Sequence, residues 1–274
     1  MTEPFGRRLA ERTAERGALC AGIDPHPGLL DAWGLPRSVS GLEKFALGAV
    51  EVLAAEAAVI KPQSAFFEAY GAAGVAVLAR VINYARQGGA LVLLDVKRGD
   101  IGSTMGAYTA AYLDGDSELA ADAVTVSPYL GFGSLVPAIE TARAAGRGVF
   151  VLARTSNPEA WQLQNALLPN GKTVAQSIVD EAAAVNRGVA PLGDVGVVVG
   201  ATVAPGELDL DALNGPVLAP GFGAQGATVG DLRRLFGTAL RGVLPASSRD
   251  LLRHGPDPAA LRAAVRRIQA SISE

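Results

Sequence analysis

Asp95-Val96-Lys97 sets a carboxylate and an ammonium two positions apart. In a strand, residues i and i+2 point to the same side, about 6–7 Å apart along the chain. An acid and a base facing one cavity can hold a proton, or a positive charge, beside a reacting atom. Lys61 and Asp100 extend the pair into an alternating row of Lys, Asp, Lys and Asp. The plainer alternative is an ion pair that only ties down a strand end. That suits a lone Asp-x-Lys, and suits less well a set in which separate segments supply matching charges.

A second chemistry-bearing segment lies far along the chain. Gly221-Phe222-Gly223-Ala224-Gln225-Gly226 fits G-x-G-x-x-G, the pattern of a dinucleotide-binding turn. That turn normally opens the first βαβ unit, whereas this segment lies near the C-terminal end. A phosphate loop is the better reading, with backbone N–H groups as donors. Arg249 can clamp the same phosphate through two parallel hydrogen bonds. The plainer alternative is a flexible surface loop. Gly171-Lys172-Thr173 resembles the end of a Walker A loop, but position 166 is Ala where glycine is needed, so Lys172 reads as an exposed loop lysine. His26, in Asp24-Pro25-His26-Pro27, reads as an exposed turn residue. Cys20 reads as a small core residue, and Trp33 and Trp161 as packing or lid residues.

These groups need a scaffold to bring them together. Short apolar runs recur at 19–24, 58–61, 91–96, 123–127, 149–153, 195–199, 216–219 and 242–245. They are continuous rather than alternating, as in parallel strands covered on both faces. Between them lie Ala-rich stretches of helical period. Leu42, Phe45, Ala46, Ala49, Val50 and Leu53 recur at three and four, as do Val75, Leu78, Ala79, Ile82 and Ala85. A last helix is expected over 258–272, with Asp257 as its N-cap and Pro258 in its first turn. Eight strand–helix units predict an α/β fold, a (βα)8 TIM barrel forming one domain over residues 1–274. A doubly wound open sheet is the rival on pattern alone. A barrel would gather the strand-end groups on one face: Asp24, Lys61, Asp95, Lys97, Ser127, the Arg154-Thr155-Ser156-Asn157 run, the glycine-rich segment and Ser247-Ser248-Arg249.

The chain of 274 residues carries 24 basic and 27 acidic side chains, a formal net charge of -3, and is 49% apolar. That length suits a large core without disulfides, and the balance argues against a nucleic-acid partner. One cysteine and two histidines exclude an intramolecular disulfide and a thiolate or histidine-rich zinc site, but not an oxygen-ligated Mg²⁺. No secretory signal or membrane span is legible, so a cytoplasmic protein is expected.

Leu94-Asp95-Val96-Lys97-Arg98-Gly99-Asp100-Ile101-Gly102-Ser103-Thr104 resembles the signature of the orotidine 5′-phosphate decarboxylases. Its D-x-K-x-x-D core is shared with sister sugar-phosphate enzymes. Further segments resemble the decarboxylases in particular: Gly22-Ile23-Asp24-Pro25, Ile60-Lys61-Pro62-Gln63, Thr155-Ser156-Asn157-Pro158, and Ala219 through Gly226. The TSNP form and the long insert after the fifth strand are similar to the bacterial subgroup found in mycobacteria and relatives. The resemblance implies conversion of orotidine 5′-monophosphate to UMP and CO₂, the last step of de novo pyrimidine synthesis, by a homodimer without metal or cofactor. It implies that Lys97 protonates C6, that Asp95 faces the substrate carboxylate, and that Lys61 bridges ribose and the charge row. Asp24 would bond ribose, while Asp100 and Thr104 would reach the neighbouring subunit's site. Ser156 would read the pyrimidine, Gln225 would span pyrimidine and phosphate, and Gly226 and Arg249 would hold phosphate. Ala227-Thr228 departs from the pattern, where many relatives carry a second glycine and an acidic residue. Two alternatives stay open: a Mg²⁺-dependent sugar-phosphate decarboxylase or aldolase of the same superfamily, and a non-catalytic phosphosugar-binding barrel.

Overall fold

A computed structural model describes residues 2–223, 226–237 and 240–273. Eight strands form in chain order: β1 (Cys20–Ile23), β2 (Val59–Pro62), β3 (Leu91–Arg98), β4 (Ala123–Val126), β5 (Gly148–Arg154), β6 (Val195–Val199), β7 (Val217–Pro220) and β8 (Val243–Ser247). Each pairs in parallel with the next, and β8 returns to β1 through Cys20↔Ala246 and Ala21↔Ser247. The ring is closed, so the open-sheet alternative falls. Every residue of β6 is buried, because the barrel interior covers one face and helices cover the other.

Two apolar layers hold the ring. Outside it, Phe45, Ala46, Ala49 and Leu53 of the helix Val39–Glu56 turn inward, as their spacing predicts. Inside it, Cys20, Val59, Leu91, Phe150, Leu218 and Leu244 fill the lower barrel. The helix Phe5–Arg16 closes the bottom. Phe5 meets Phe150 edge-on at 6.0 Å, and the Gly6 amide donates to Asp194 Oδ1 at 2.8 Å. Burying a side chain such as Phe5 stabilises the fold by about 1.5–3 kcal/mol. The last helix spans Pro258–Ser273, and Asp257 Oδ1 accepts the Ala259 amide at 2.9 Å, a cap where one was expected.

The strand–helix alternation has one gap. Residues 200–216 join β6 to β7 without a helix, contrary to eight complete units. Pro205-Gly206 and Asn214-Gly215-Pro216 explain it, since they break helical backbone at both ends of the segment.

Candidate active site

The C-terminal end of β3 departs from a regular strand. Leu94 pairs with Val124, and the next pair is Arg98 with Val126, so Asp95, Val96 and Lys97 all stand against Thr125. The two surplus residues form a bulge, and Lys97 takes a left-handed backbone with φ +46°. The Thr125 hydroxyl accepts the Val96 and Lys97 amides at 3.1 and 3.0 Å and donates to Asp95 Oδ1 at 2.8 Å. Lys97 Nζ then lies 2.6 Å from Asp95 Oδ1. The expected pairing of Asp95 with Lys97 is present, but a bulge produces it rather than regular i, i+2 strand spacing.

Lys61, from β2, completes the other side of Asp95. Its Nζ is 3.2 Å from Asp95 Oδ2 and 4.0 Å from Asp24 Oδ1. Gln63 Nε2 also donates to Asp95 Oδ2, at 2.9 Å. Within the chain the row therefore runs Asp24, Lys61, Asp95, Lys97. Asp100 is not part of it: its Oδ1 accepts the Ile101 amide at 2.8 Å at the head of the helix Gly102–Leu113. Thr104 lies exposed on that same helix.

Burial alone would push the Asp95 carboxyl up. The ammonium charges of Lys61 and Lys97, with hydrogen bonds from Lys97 and Thr125, outweigh it and hold the group well below the usual carboxylate range. Burial likewise pushes Lys61 down, and the charges of Asp95 and Asp24 overcome it, so Lys61 stays an ammonium far into the alkaline range. Beneath the row, the Cys20 thiol is pushed up to about 12, first by burial. It is an inert core residue, as expected.

The row lines a cavity of about 240 Å³ whose apolar wall includes Leu152, Val198 and Leu218, and whose rim includes Ser156. A smaller cavity of about 110 Å³ adjoins it, lined by Gly221, Ser247, Ser248 and Arg249, and the two share Asp24, Lys61 and Pro220. The charged pair and the glycine-lined cradle are thus adjacent parts of one site. Among the described residues, three buried oxygens there have no hydrogen-bond partner: Asp24 Oδ1, Ser247 Oγ and Ser248 Oγ. Buried polar atoms ordinarily find partners, so the chemistry of these three suits a polar group. Gly22 of β1 admits the approach of Ser248, since a Cβ there would stand 2.7 Å from the Ser248 Cβ. Gly221 turns the chain at φ +101°, which side chains resist. Gly226 is exposed beyond this turn, and Gln225 lies outside the described residues.

The Ser156 segment is held by the insert that follows it. Gln164 Oε1 accepts the Thr155 amide at 2.8 Å, and Gln164 Nε2 donates to Thr155 Oγ1 at 2.9 Å. Arg154 Nε donates to Glu207 at 2.8 Å from the helix-free β6–β7 connection. Thr228, the departure from the family pattern, caps a helix. Its hydroxyl accepts the Asp231 amide while Asp231 Oδ2 accepts the Thr228 amide, opening the helix Val229–Phe236. The T-x-x-D spacing carried that signal. Thr125, Gln63, Gln164 and the two serines carried none as strong, being ordinary polar residues in strand or loop sequence.

The remaining candidates fall where they were expected. His26 Nδ1 accepts the Gly28 amide at 3.2 Å in an exposed turn. Lys172 is exposed and pairs with Asp180. Trp33 packs on Phe45 with ring centroids 4.3 Å apart, and Trp161 is 67% exposed on the insert.

The profile of the orotidine 5′-phosphate decarboxylase / HUMPS family matches residues 17–264. The chain belongs to that family. It is 60% identical to an orotidine 5′-phosphate decarboxylase of Salinispora arenicola over 268 residues, covering 98% of this chain and 96% of the relative. A crystal structure of a proposed orotidine 5′-phosphate decarboxylase from Streptomyces avermitilis superposes with a TM-score of 0.96 at 55% identity, covering 99% of this chain and 95% of that one. The OMP decarboxylase of Leishmania donovani superposes with a TM-score of 0.75 at 31% identity, covering 98% and 97%.

Proposed function

We infer that the chain is a carboxy-lyase that converts orotidine 5′-monophosphate to UMP and CO₂ in pyrimidine biosynthesis. The observation that carries this is the shared cavity, with the Lys97–Asp95 pair at one end and the Gly221–Arg249 cradle at the other. A phosphate in the cradle would use Arg249, the serine hydroxyls and the backbone of the glycine-rich turn, with Gln225 and Gly226 above it. Ribose would lie over Asp24 and Lys61. The pyrimidine would then reach the apolar wall beside Asp95 and Lys97, with Ser156 at its amide edge.

Loss of CO₂ from C6 leaves an electron pair in the ring plane, where the π system cannot spread it. Stabilisation must come from a positive charge beside that carbon, in a site where water does not weaken it. The Lys97 ammonium supplies that charge and then the proton that closes the C6–H bond. Asp95 stays ionised and keeps Lys97 in place, and its charge opposes the substrate carboxylate. Binding energy collected at the remote phosphate holds the ring in this surrounding.

Asp100 and Thr104 do not reach this chain's own cavity. Their position after β3, Asp100 half-buried and Thr104 exposed, supports a homodimer in which each completes the neighbouring site. Among the described residues no helix is long and apolar enough to cross a membrane. We place the enzyme in the cytoplasm, without a nucleic-acid partner, and without metal or cofactor. The decisive measurement is the fall in orotidylate absorbance with purified protein in excess EDTA. Turnover that survives chelation supports this reading, and turnover that Mg²⁺ alone restores would favour a metal-dependent sister enzyme.

A further inference from the structure

Thr125 has no part in the roles above, yet it is 1% exposed and sits at the centre of the β3 bulge. We propose that Thr125 is a positioning residue for the decarboxylation, and that its hydroxyl sets the backbone and carboxylate geometry that presents Lys97 to C6. The proposal rests on the function inferred above.

A hydroxyl has one proton and two lone pairs. At Thr125 all three are used, toward Asp95 Oδ1, the Val96 amide and the Lys97 amide. The bulge creates the need for them. Three β3 residues stand against one β4 residue, so the β4 backbone cannot offer each amide a ladder partner. The Val96 amide is buried and the Lys97 amide partly so, and this side chain accepts from both at once. Lys97 adds a second demand. A left-handed backbone at a residue other than glycine persists only where its surroundings over-determine it.

The contacts close a ring. The Lys97 amide donates to Thr125, Thr125 donates to Asp95 Oδ1, and Lys97 Nζ donates to the same Oδ1. Both ends of the lysine are thus referred to one hydroxyl. Lys61 and Gln63 hold only the opposite oxygen, Oδ2. Arg98 Nη1 donates to the Val96 carbonyl at 3.2 Å, which supports the bulge from outside without touching Asp95 or the Lys97 amide. Neither contact replaces the hydroxyl. Valine at 125 would keep the shape and remove all three bonds, whereas serine would keep the oxygen and lose only the methyl group.

The test compares Thr125→Val, Thr125→Ala and Thr125→Ser with wild type in steady-state orotidylate turnover, UMP affinity and thermal melting. Valine and alanine are expected to lower kcat by about 100-fold, the scale of a misplaced catalytic group. KM and the UMP Kd should stay within about threefold, since Asp24 and Arg249 are untouched, and serine should restore kcat to within about threefold of wild type. Wild-type kcat in Thr125→Val would overturn the proposal. So would a serine variant no better than valine, or a loss confined to KM. If valine and alanine fail to fold while serine folds, the hydroxyl is a folding determinant and the positioning role is rejected. A wild-type chain that turns over no orotidylate would instead remove the functional inference itself, and this one with it.

Discussion

Lys97 Nζ stands 2.6 Å from Asp95 Oδ1 across a backbone bulge, with the lysine's own φ in the left-handed region. The Lys97 side chain is still 45% exposed while that of Asp95 is 8% exposed. A buried anion thus anchors a cation whose far side opens into the cavity. This is the arrangement needed to place a charge beside a substrate carbon without neutralising it by deeper burial.

Lys97→Ala should reduce kcat by about a thousandfold or more, because it removes both the charge and the proton donor. UMP should still bind, since the phosphate cradle lies at the other end of the site. Single-turnover kinetics and calorimetric titration with UMP check the two halves. Retained turnover near wild type would reject the assigned role.

Asp95 sets a pH dependence whose sign follows from its depressed folded-state pKa. Such a group contributes stability above its unfolded value, about 4, and loses it as pH falls through the lower folded value. Removing one member of a buried ion pair costs about 3–5 kcal/mol. The difference in unfolding free energy between wild type and Asp95→Asn should therefore be flat from about pH 5 to 9 and shrink below about pH 4. Denaturant titrations across that range measure it, and a difference that grows on acidification would contradict the sign.

Arg249→Ala should raise KM for orotidylate by about 10- to 100-fold, the scale of hydrogen bonds to a charged group. Ser247→Ala and Ser248→Ala should each raise it by a smaller factor, as both hydroxyls line the cradle and lack partners among the described residues. Dephosphorylated orotidine should respond to none of the three. An unchanged KM in Arg249→Ala would remove the phosphate assignment.

Gln164→Ala should loosen the Thr155–Asn157 turn and raise KM by about three- to tenfold, the scale of one or two lost hydrogen bonds. The melting temperature should move by no more than about 3 °C, because the segment lies at the rim rather than in the core. Kinetics and a thermal melt on the same preparation separate these effects.

The barrel was legible in eight continuous runs such as Val195-Gly196-Val197-Val198-Val199, which suit parallel strands covered on both faces, although such runs alone do not separate a barrel from an open sheet. Asp24, Lys61, Asp95, Lys97 and Arg249 were legible as charges that follow such runs. The bulge was not. Nothing in Leu94-Asp95-Val96-Lys97 signals a left-handed residue, which arises from Thr125 on the next strand. Threonine is an ordinary strand former, so its three hydrogen bonds leave no local trace. Spacing alone wrongly added Asp100 to the charge row, because a period of two or three residues cannot say where a chain turns away after its strand ends; only the family resemblance set it apart from this chain's own site. The missing helix between β6 and β7 had a visible cause in Pro205, Gly206 and Pro216, but counting strands alone passed over it.

Phe5 and Leu9 cork the barrel floor, so the cavity opens at the opposite end, where the strands finish. Gas released beside Asp95 has that same rim to leave by, and Gln164 of the insert holds Thr155 on it. The mouth is thus bordered by the loop residues Thr155, Ser156 and Gly200 as well as by the strands that carry the chemistry.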